Sequence, residues 1–211
     1  MATYDRLRTD VDTLLNYHPA IVDQKSGRPP GDTGPLLRAA IVLIYTAWEN
    51  YFENVIEETF NKILTHIDDD HTLLPHHLRD VVAKHAQKKN PWDIVGNGWQ
   101  TVARDHVALQ IAALNTPNAT NVELFSNQFL GIPGLLGKLK WKGHFADRIR
   151  IHLDSLTHDI RGEIVHKGQT PGPLNLGGVR DWTNFVTRLA ELTDAAVSRE
   201  VVRIYGFNPW P

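Results

Sequence analysis

Apolar residues recur every three or four positions along most of this chain, a spacing that indicates amphipathic helices. The longest segment of this kind covers residues 36–67 and contains no glycine or proline. Its first half, "LLRAAIVLIYTAW", is apolar on nearly every face. We therefore expect a long helix that runs through the middle of the molecule.

The same periodicity, together with helix start and stop residues, predicts further helices. They cover residues 3–16, 75–89, 99–114, 121–130, 144–166 and 179–204, and Thr120 and Glu123 match a capping box for the helix at 121–130. No segment alternates apolar and polar residues long enough to predict a strand. The sequence thus predicts an all-α protein, an antiparallel helical bundle in which 36–67 packs against 144–166.

The composition limits the number of domains and the kinds of site that we expect, and it does not change the predicted fold. The 211 residues are 42% hydrophobic and 22% charged, which is ordinary for a globular protein, and we expect a single domain over 1–211. The net charge of −2 means that any site for a polyanion must be local. Because cysteine is absent, disulfides, thiolate metal sites and cysteine nucleophiles are excluded.

The cellular location is expected to be the cytoplasm. The first residues, "MATYDRLRTDVD", are charged and lack the apolar core of a signal peptide. The longest apolar run, residues 39–48, is too short to cross a bilayer. We therefore expect no membrane association.

One short stretch, "IRGEIVHKGQ" at 160–169, places Arg161 five positions before His166 near a helix end. A histidine that titrates near neutrality can transfer protons, and an arginine can bind a phosphate with two hydrogen bonds. An ordinary helix C-terminus carries the same residue types, because cations there complement the helix dipole. A second pair, Arg79 and His85, has similar spacing, so spacing alone does not identify a site.

Two segments together resemble the HEPN superfamily, and most of all its RiboL-PSP-HEPN type. They are "RAAIVLIYTAWENYFENVIEETF" on the long early helix and "IRGEIVHKG" at the end of a later one. The resemblance covers about residues 36–205, with 1–34 as a helical extension. It implies a four-helix core with additional helices. It also implies a homodimeric, metal-independent endoribonuclease of the toxin or phage-defence kind, or a related module that has lost activity and only binds RNA or a partner protein.

The resemblance implies a role for each residue of the pair. Arg161 would hold the scissile phosphate, and His166 would act as acid or base while the 2′-hydroxyl of the RNA attacks. The implied partners are RNA, a second copy of the chain and a cognate antitoxin protein, with no cofactor or metal ion. The sequence departs from the family at Gly162, where a polar residue is common. Five residues also span about 140° of a straight helix, so the pair shares a face only if the last turn unwinds or a dimer completes the site.

Basic residues precede the motif and suggest a path for single-stranded RNA. A tryptophan lies among them, and cations with an aromatic ring are typical of such paths. The alternative is a solvated connector. The candidate RNA-binding residues are Lys138, Lys140, Trp141, Lys142, Arg148, Arg150 and Lys167.

Acidic residues near the motif raise two further possibilities. Glu49 and Glu53 lie one turn apart on the central helix, where either could orient Arg161 or His166, or both could face solvent. Glu163 and His166 also match the Glu-x-x-His element of di-iron bundles. No other glutamate is followed three residues later by histidine, so a metal site is not expected.

Overall fold

The chain is helical over most of the residues that the computed structural model describes, which are 2–18, 21, 32–169 and 174–210. The helices are α1 (Ala2–Asn16), α2 (Gly34–Ile67), α3 (His76–Lys88), α4 (Gly98–Ala112), α5 (Ala119–Leu130), α6 (Ala146–Asp154), a π-helix (Ser155–Arg161), α7 (Gly162–Lys167) and α8 (Leu176–Tyr205). Short 3₁₀ turns occur at His71–Leu73, Pro91–Ile94 and Leu136–Lys138. The described residues contain no strand, so the predicted all-α class is confirmed.

Helix α2 forms the centre of the fold, as its apolar sequence predicts. Its aromatic residues Trp48, Tyr51 and Phe52 are fully buried. The indole Nε1 of Trp48 donates to the carbonyl oxygen of Pro117 at 2.9 Å, and the Tyr51 hydroxyl lies 2.8 Å from the carbonyl oxygen of Ala190 on α8. These bonds satisfy the buried polar atoms of Trp48 and Tyr51.

The neighbours of α2 surround it on several sides. It contacts α1, α5 and α8, and it also contacts the π-helix and α7. Contact with those last two segments agrees with the predicted packing of 36–67 against 144–166. Although α2 is 34 residues long, no helix in the described part of the chain is apolar over enough of its length to cross a lipid bilayer.

Helix α1, expected to be an extension, packs directly on α2. Its residues Tyr4, Val11 and Leu15 are buried, and the ring of Tyr4 lies 5.6 Å from that of Tyr51. Residues three to four positions apart place these side chains on one face of the helix. The first helix therefore shares the core of the rest of the chain.

The start of α5 differs from the predicted capping box. Asn118 caps this helix, because its side-chain oxygen accepts a hydrogen bond from the backbone N–H of Asn121 at 2.9 Å. The helix thus begins before Thr120, and the carboxylate of Glu123 is free for other partners. It accepts from the backbone N–H of Leu136 and pairs with Arg150.

The segment predicted as one helix over 144–166 also differs in detail. His144 lies in a tight turn with Trp141, whose backbone bonds of 2.9 and 3.1 Å keep it out of the helix. The helix begins at Ala146, and from Ser155 to Arg161 it is a π-helix. A π-helix has i→i+5 hydrogen bonds and is often found at functional sites. It leads directly into the segment that carries Arg161 and His166.

Candidate active site

Arg161 and His166 line the same surface cavity, which has a volume of about 260 Å³. It lies where the π-helix meets α7. The lining residues are Thr116, Thr157, His158, Arg161, Gly162, Glu163, His166 and Lys167. Arg161 is partly buried and His166 is exposed, so a phosphate in the cavity could be reached by both side chains.

Gly162 explains how two residues five positions apart share this cavity. At about 100° per residue, position 162 lies between Arg161 and His166 around the axis of α7. Gly162 has ordinary helical angles, φ −59° and ψ −47°, so its backbone needs no glycine. Its missing side chain instead leaves open the space between the arginine and the histidine. The glycine that departs from the family pattern thus forms part of the cavity wall.

The π-helix brings residues from the preceding turn into the same cavity. The lining positions 157/158, 161/162 and 166/167 recur every four or five residues. A helix with i→i+5 bonds has more residues per turn than an α-helix, which favours this longer repeat. Unwinding of the last turn was one of the two ways in which the pair could share a face, but the departure from α-helical geometry precedes this turn and ends at Arg161.

The guanidinium of Arg161 is oriented by an aromatic ring of α2. Its Cζ lies 5.2 Å from the centroid of the Tyr45 ring, within the range of a cation–π contact. Tyr45 is only 1% exposed, so the ring is fixed by the core. Burial raises the pKa of Tyr45 to about 12, which keeps its hydroxyl neutral beneath the arginine.

Glu49 lies one turn after Tyr45 on α2 and interacts electrostatically with Arg161. It is partly buried, and that burial raises its pKa to about 7 even though the positive charge of Arg161 lowers it. Nearby Glu53 raises it further, and the pKa of Glu53 itself is raised by burial. Glu49 and Arg161 form no direct ion pair in the described part of the chain. Glu49 can therefore exchange a proton near neutral pH close to the arginine.

An ion pair lies at the edge of the cavity. The Nζ of Lys167 is 2.6 Å from Oε1 of Glu163, one turn earlier on the same helix. Both side chains line the cavity and are partly exposed. The positive charge of Lys167, a candidate RNA contact, is therefore partly neutralised by Glu163, which lies three residues before His166.

The structure divides the predicted RNA-binding residues into two groups. Lys138 lies 3.4 Å from the buried carboxylate of Glu200, and Arg150 pairs with Glu123, so both contribute to the packing of helices. Lys140, Lys142 and Arg148 are exposed, and Trp141 is partly buried. Of the predicted RNA-binding residues, Lys167 alone lines the cavity that contains Arg161 and His166, which we call the Arg161 cavity.

Sequence reasoning did not single out His158 and Thr116, which also line this cavity. His158 lies three positions before Arg161, and helical periodicity places residues at this spacing on one face. That signal could have identified it. Thr116 comes from the loop between α4 and α5, and nothing in the sequence links this loop to the motif.

The second Arg/His pair, Arg79 and His85, does not form a comparable site, and the Glu163–His166 element does not form a metal site among the described residues. His85 lies 3.0 Å from a carboxylate oxygen of Asp93, and neither it nor Arg79 lines the cavity. Among the residues that the structure describes, no three His, Asp or Glu side chains are grouped to hold a metal ion.

Comparison with known protein families identifies this chain. A family model described as RiboL-PSP-HEPN matches residues 5–199, which is most of the chain and includes most of α1 together with Tyr45, Arg161 and His166. No curated protein and no solved structure matches this chain.

Proposed function

Because this chain belongs to the RiboL-PSP-HEPN family, a family of HEPN domains, we propose that it is a metal-independent endoribonuclease. The observation that supports this proposal most strongly is that Arg161 and His166 line one solvent-accessible cavity. The toxin or phage-defence role, the cytoplasmic location and a cognate antitoxin protein as partner belong to the same proposal.

The proposed reaction uses the 2′-hydroxyl of the RNA as the nucleophile. As the 2′-oxygen attacks phosphorus, it loses its proton, and the bond from phosphorus to the 5′-oxygen breaks as that oxygen gains a proton. The products are a 2′,3′-cyclic phosphate and a free 5′-hydroxyl. Both proton transfers suit an imidazole, and we assign His166 to this acid–base role.

Arg161 is assigned to the phosphate. Charge concentrates on the non-bridging oxygens in the transition state, and a guanidinium held in place can bind two of these oxygens at once. The contact with the Tyr45 ring supports this role, because it limits the orientations that the guanidinium samples before substrate binds. Such preorganisation reduces the reorganisation needed during the reaction.

A two-fold dimer would supply two imidazoles to one phosphodiester. Two apolar side chains on the rod formed by α6, the π-helix and α7 are exposed: Val165 beside His166 at 49%, and Ile151 at 65%. An isologous contact through these residues would place a site near the symmetry axis opposite its copy. His166 could then take the proton from the 2′-oxygen while the partner's His166 protonates the leaving oxygen.

The test is an RNA cleavage assay with the intact protein in the presence of EDTA. We expect cleavage that EDTA does not inhibit, with products that carry 2′,3′-cyclic phosphate ends. Full inhibition by EDTA, or products with 3′-hydroxyl ends, would contradict the mechanism. Binding of RNA without cleavage would favour the alternative, a HEPN module that has lost activity.

The assembly is tested by light scattering at micromolar concentration. The wild-type protein is expected to have the mass of a dimer, and Val165→Glu should shift it towards the monomer with loss of cleavage. A matched change at exposed Leu109, Leu109→Glu, should leave both unchanged. A wild-type monomer that cleaves RNA would instead point to His158 as the second imidazole.

A further inference from the structure

A second cavity, of about 490 Å³, lies between the turn at Trp141 and His144, helix α6 and the first half of α8. Its volume is within the range of roughly 300–1,000 Å³ that small-molecule sites occupy. It shares no lining residue with the Arg161 cavity. We propose that this cavity binds one unstacked nucleotide of an RNA strand, an inference that rests on the proposed ribonuclease function.

Aromatic rings form the walls and the floor of this cavity. Trp141 stacks on His144 with ring centroids 4.6 Å apart and an angle of 18° between the planes. Trp182 on α8 lies 5.8 Å from Phe185 and nearly perpendicular to it. Phe185 is 6% exposed and forms the floor, whereas both tryptophans remain partly exposed. Partly exposed tryptophan faces are surfaces on which a base of any identity can stack.

Backbone hydrogen bonds and ring contacts hold these rings in place. Two backbone hydrogen bonds join Trp141 and His144, and Gly143 between them has φ +83°, a conformation that favours glycine. On α6, the ring of His152 lies 5.1 Å from that of His144 and 5.9 Å from that of Trp182. The cavity is therefore preformed, which lowers the ordering that a ligand must impose.

Histidine nitrogens supply hydrogen-bonding groups at the cavity. The Nδ1 atom of His144 is buried and has no hydrogen-bond partner within the described residues. An unpaired buried nitrogen costs free energy, and a rotation of the His144 ring would let a ligand bond to it and recover this cost. Burial, with smaller effects of His144 and Arg148, lowers the pKa of His152. A neutral imidazole both donates and accepts, as the edges of nucleobases require.

The charges around the cavity favour an anionic ligand. Arg148 and Arg188 line it, against one lining carboxylate, Asp181. The Nη1 of Arg148 donates to the carbonyl oxygen of Gly143, and Arg188 pairs with Glu191 but is half exposed. Aromatic cages for organic cations lack such arginines, because the positive charges would repel the ligand. A planar ring joined to a phosphate matches both the rings and the arginines.

The position of the cavity relates it to the candidate active site. Arg148 and Arg161 are separated by 13 residues of one continuous helical rod. The α-helical rise of about 1.5 Å per residue gives an upper limit of about 20 Å along the axis, because the π-helix rises less per residue. A single RNA strand of several nucleotides could span this distance. A base held here would anchor the strand away from the phosphate that is cut.

The experiment measures binding rather than cleavage, so it can fail independently of the nuclease. Tryptophan fluorescence of the wild-type protein is titrated with adenosine, with 5′-AMP and with a short 2′-deoxyadenylate strand, which lacks the attacking hydroxyl. We expect 5′-AMP to bind more tightly than adenosine, and the strand to bind more tightly than 5′-AMP. Trp182→Ala should weaken strand binding on the order of tenfold or more.

The matched control is Trp92→Ala, which removes a tryptophan that is 77% exposed on the turn Pro91–Ile94. It should bind the strand as the wild type does. Arg188→Glu, at an exposed position, should weaken 5′-AMP far more than adenosine and tests the site if Trp182→Ala does not fold. Unchanged strand affinity in both Trp182→Ala and Arg188→Glu overturns the proposal. Tighter binding of 5′-AMP than of the strand overturns the assignment to RNA. Strand binding that depends on Trp182, without RNA cleavage by the wild type, refutes the nuclease and not this site.

Discussion

Replacing Glu49 by glutamine should change the pH dependence of folding, because this carboxyl is partly buried beside Arg161. Its pKa is raised by burial to about 7 in the folded protein, against 4.5 for an ordinary glutamate. Between these two values the folded state binds more protons than the unfolded state. Wild-type stability must then fall as the pH rises through this window. Glutamine has nearly the same shape as glutamate and does not titrate, so the stability of Glu49→Gln should not fall in this way as the pH rises.

The magnitude follows from the two pKa values. One pKa unit corresponds to about 1.4 kcal/mol, which sets an upper bound of about 3.5 kcal/mol for the full difference. Glu49 is only partly buried, and screening by solvent reduces this to about 1–2 kcal/mol. For a protein of this size, this difference in stability should raise the melting temperature of Glu49→Gln above that of the wild type by roughly 2–8 °C.

The assay is thermal unfolding of both proteins at pH 5 and pH 8. Glu49→Gln should melt above the wild type at pH 8, and the difference should shrink at pH 5. The control is Glu57→Gln, an exposed position on the same helix, which should show no pH-dependent difference. In addition, Arg161→Ala should raise the pKa of Glu49, measured by NMR, because it removes the charge that lowers it. A difference of the same size at both pH values would refute the electrostatic reasoning.

Further predictions concern Gly162, Gly98 and Arg161. Gly162→Leu should place a side chain between Arg161 and His166, and it should abolish RNA cleavage while the circular dichroism spectrum stays native. In Gly162→Ala, the added Cβ would lie at an ordinary 3.6 Å from the carbonyl oxygen of Thr157, so this variant should be more stable by about 0.4–1 kcal/mol in thermal unfolding. Gly98→Ala should lower stability by on the order of 1–3 kcal/mol in the same measurement, since its Cβ would lie 2.0 Å from a backbone oxygen. Arg161→Lys should restore little of the cleavage lost in Arg161→Ala, because an ammonium cannot replace a bidentate guanidinium; near wild-type rates for the lysine variant would contradict this role.

Much of the fold could be predicted from the spacing of apolar residues. In α2, the buried residues from Leu37 to Ile67 follow the three-four spacing that the sequence displays, and the helix extends only two residues beyond its predicted start. Helix ends were harder to predict, because capping depends on competition between neighbouring side chains. Asn118 caps α5 in place of Thr120, and Glu123 binds groups distant in sequence.

The π-helix was outside the reach of sequence periodicity. Leu156 and Ile160, which pack in the core, are four residues apart and fit an α-helical stripe equally well, so the apolar pattern contains no sign of the π-helix. In addition, a straight helix places Arg161 and His166 about 140° apart, so this geometry alone predicts separate faces. That angle does not include the space that Gly162 leaves open between the two side chains.

The basic segment shows a second limit of sequence-based inference. Lys138 and Arg150 have the same charge as Lys140 and Arg148, and spacing does not distinguish them. Their partners on other helices distinguish them, because Glu200 on α8 pairs with Lys138 and Glu123 on α5 pairs with Arg150. These partners are 62 residues after Lys138 and 27 residues before Arg150, so no local pattern indicates them.

The most direct test of the central claim is the rate at which His166→Ala cleaves RNA relative to the wild type. His166 is exposed at a helix end, so the variant should keep its fold and melting temperature. Loss of an acid–base group is expected to lower the rate by roughly 10²–10⁴. His85→Ala, in the competing Arg79 pair, should cleave at the wild-type rate. A folded His166→Ala protein that cleaves as fast as the wild type, or loss of cleavage only in His85→Ala, would contradict the assignment of this cavity as the active site.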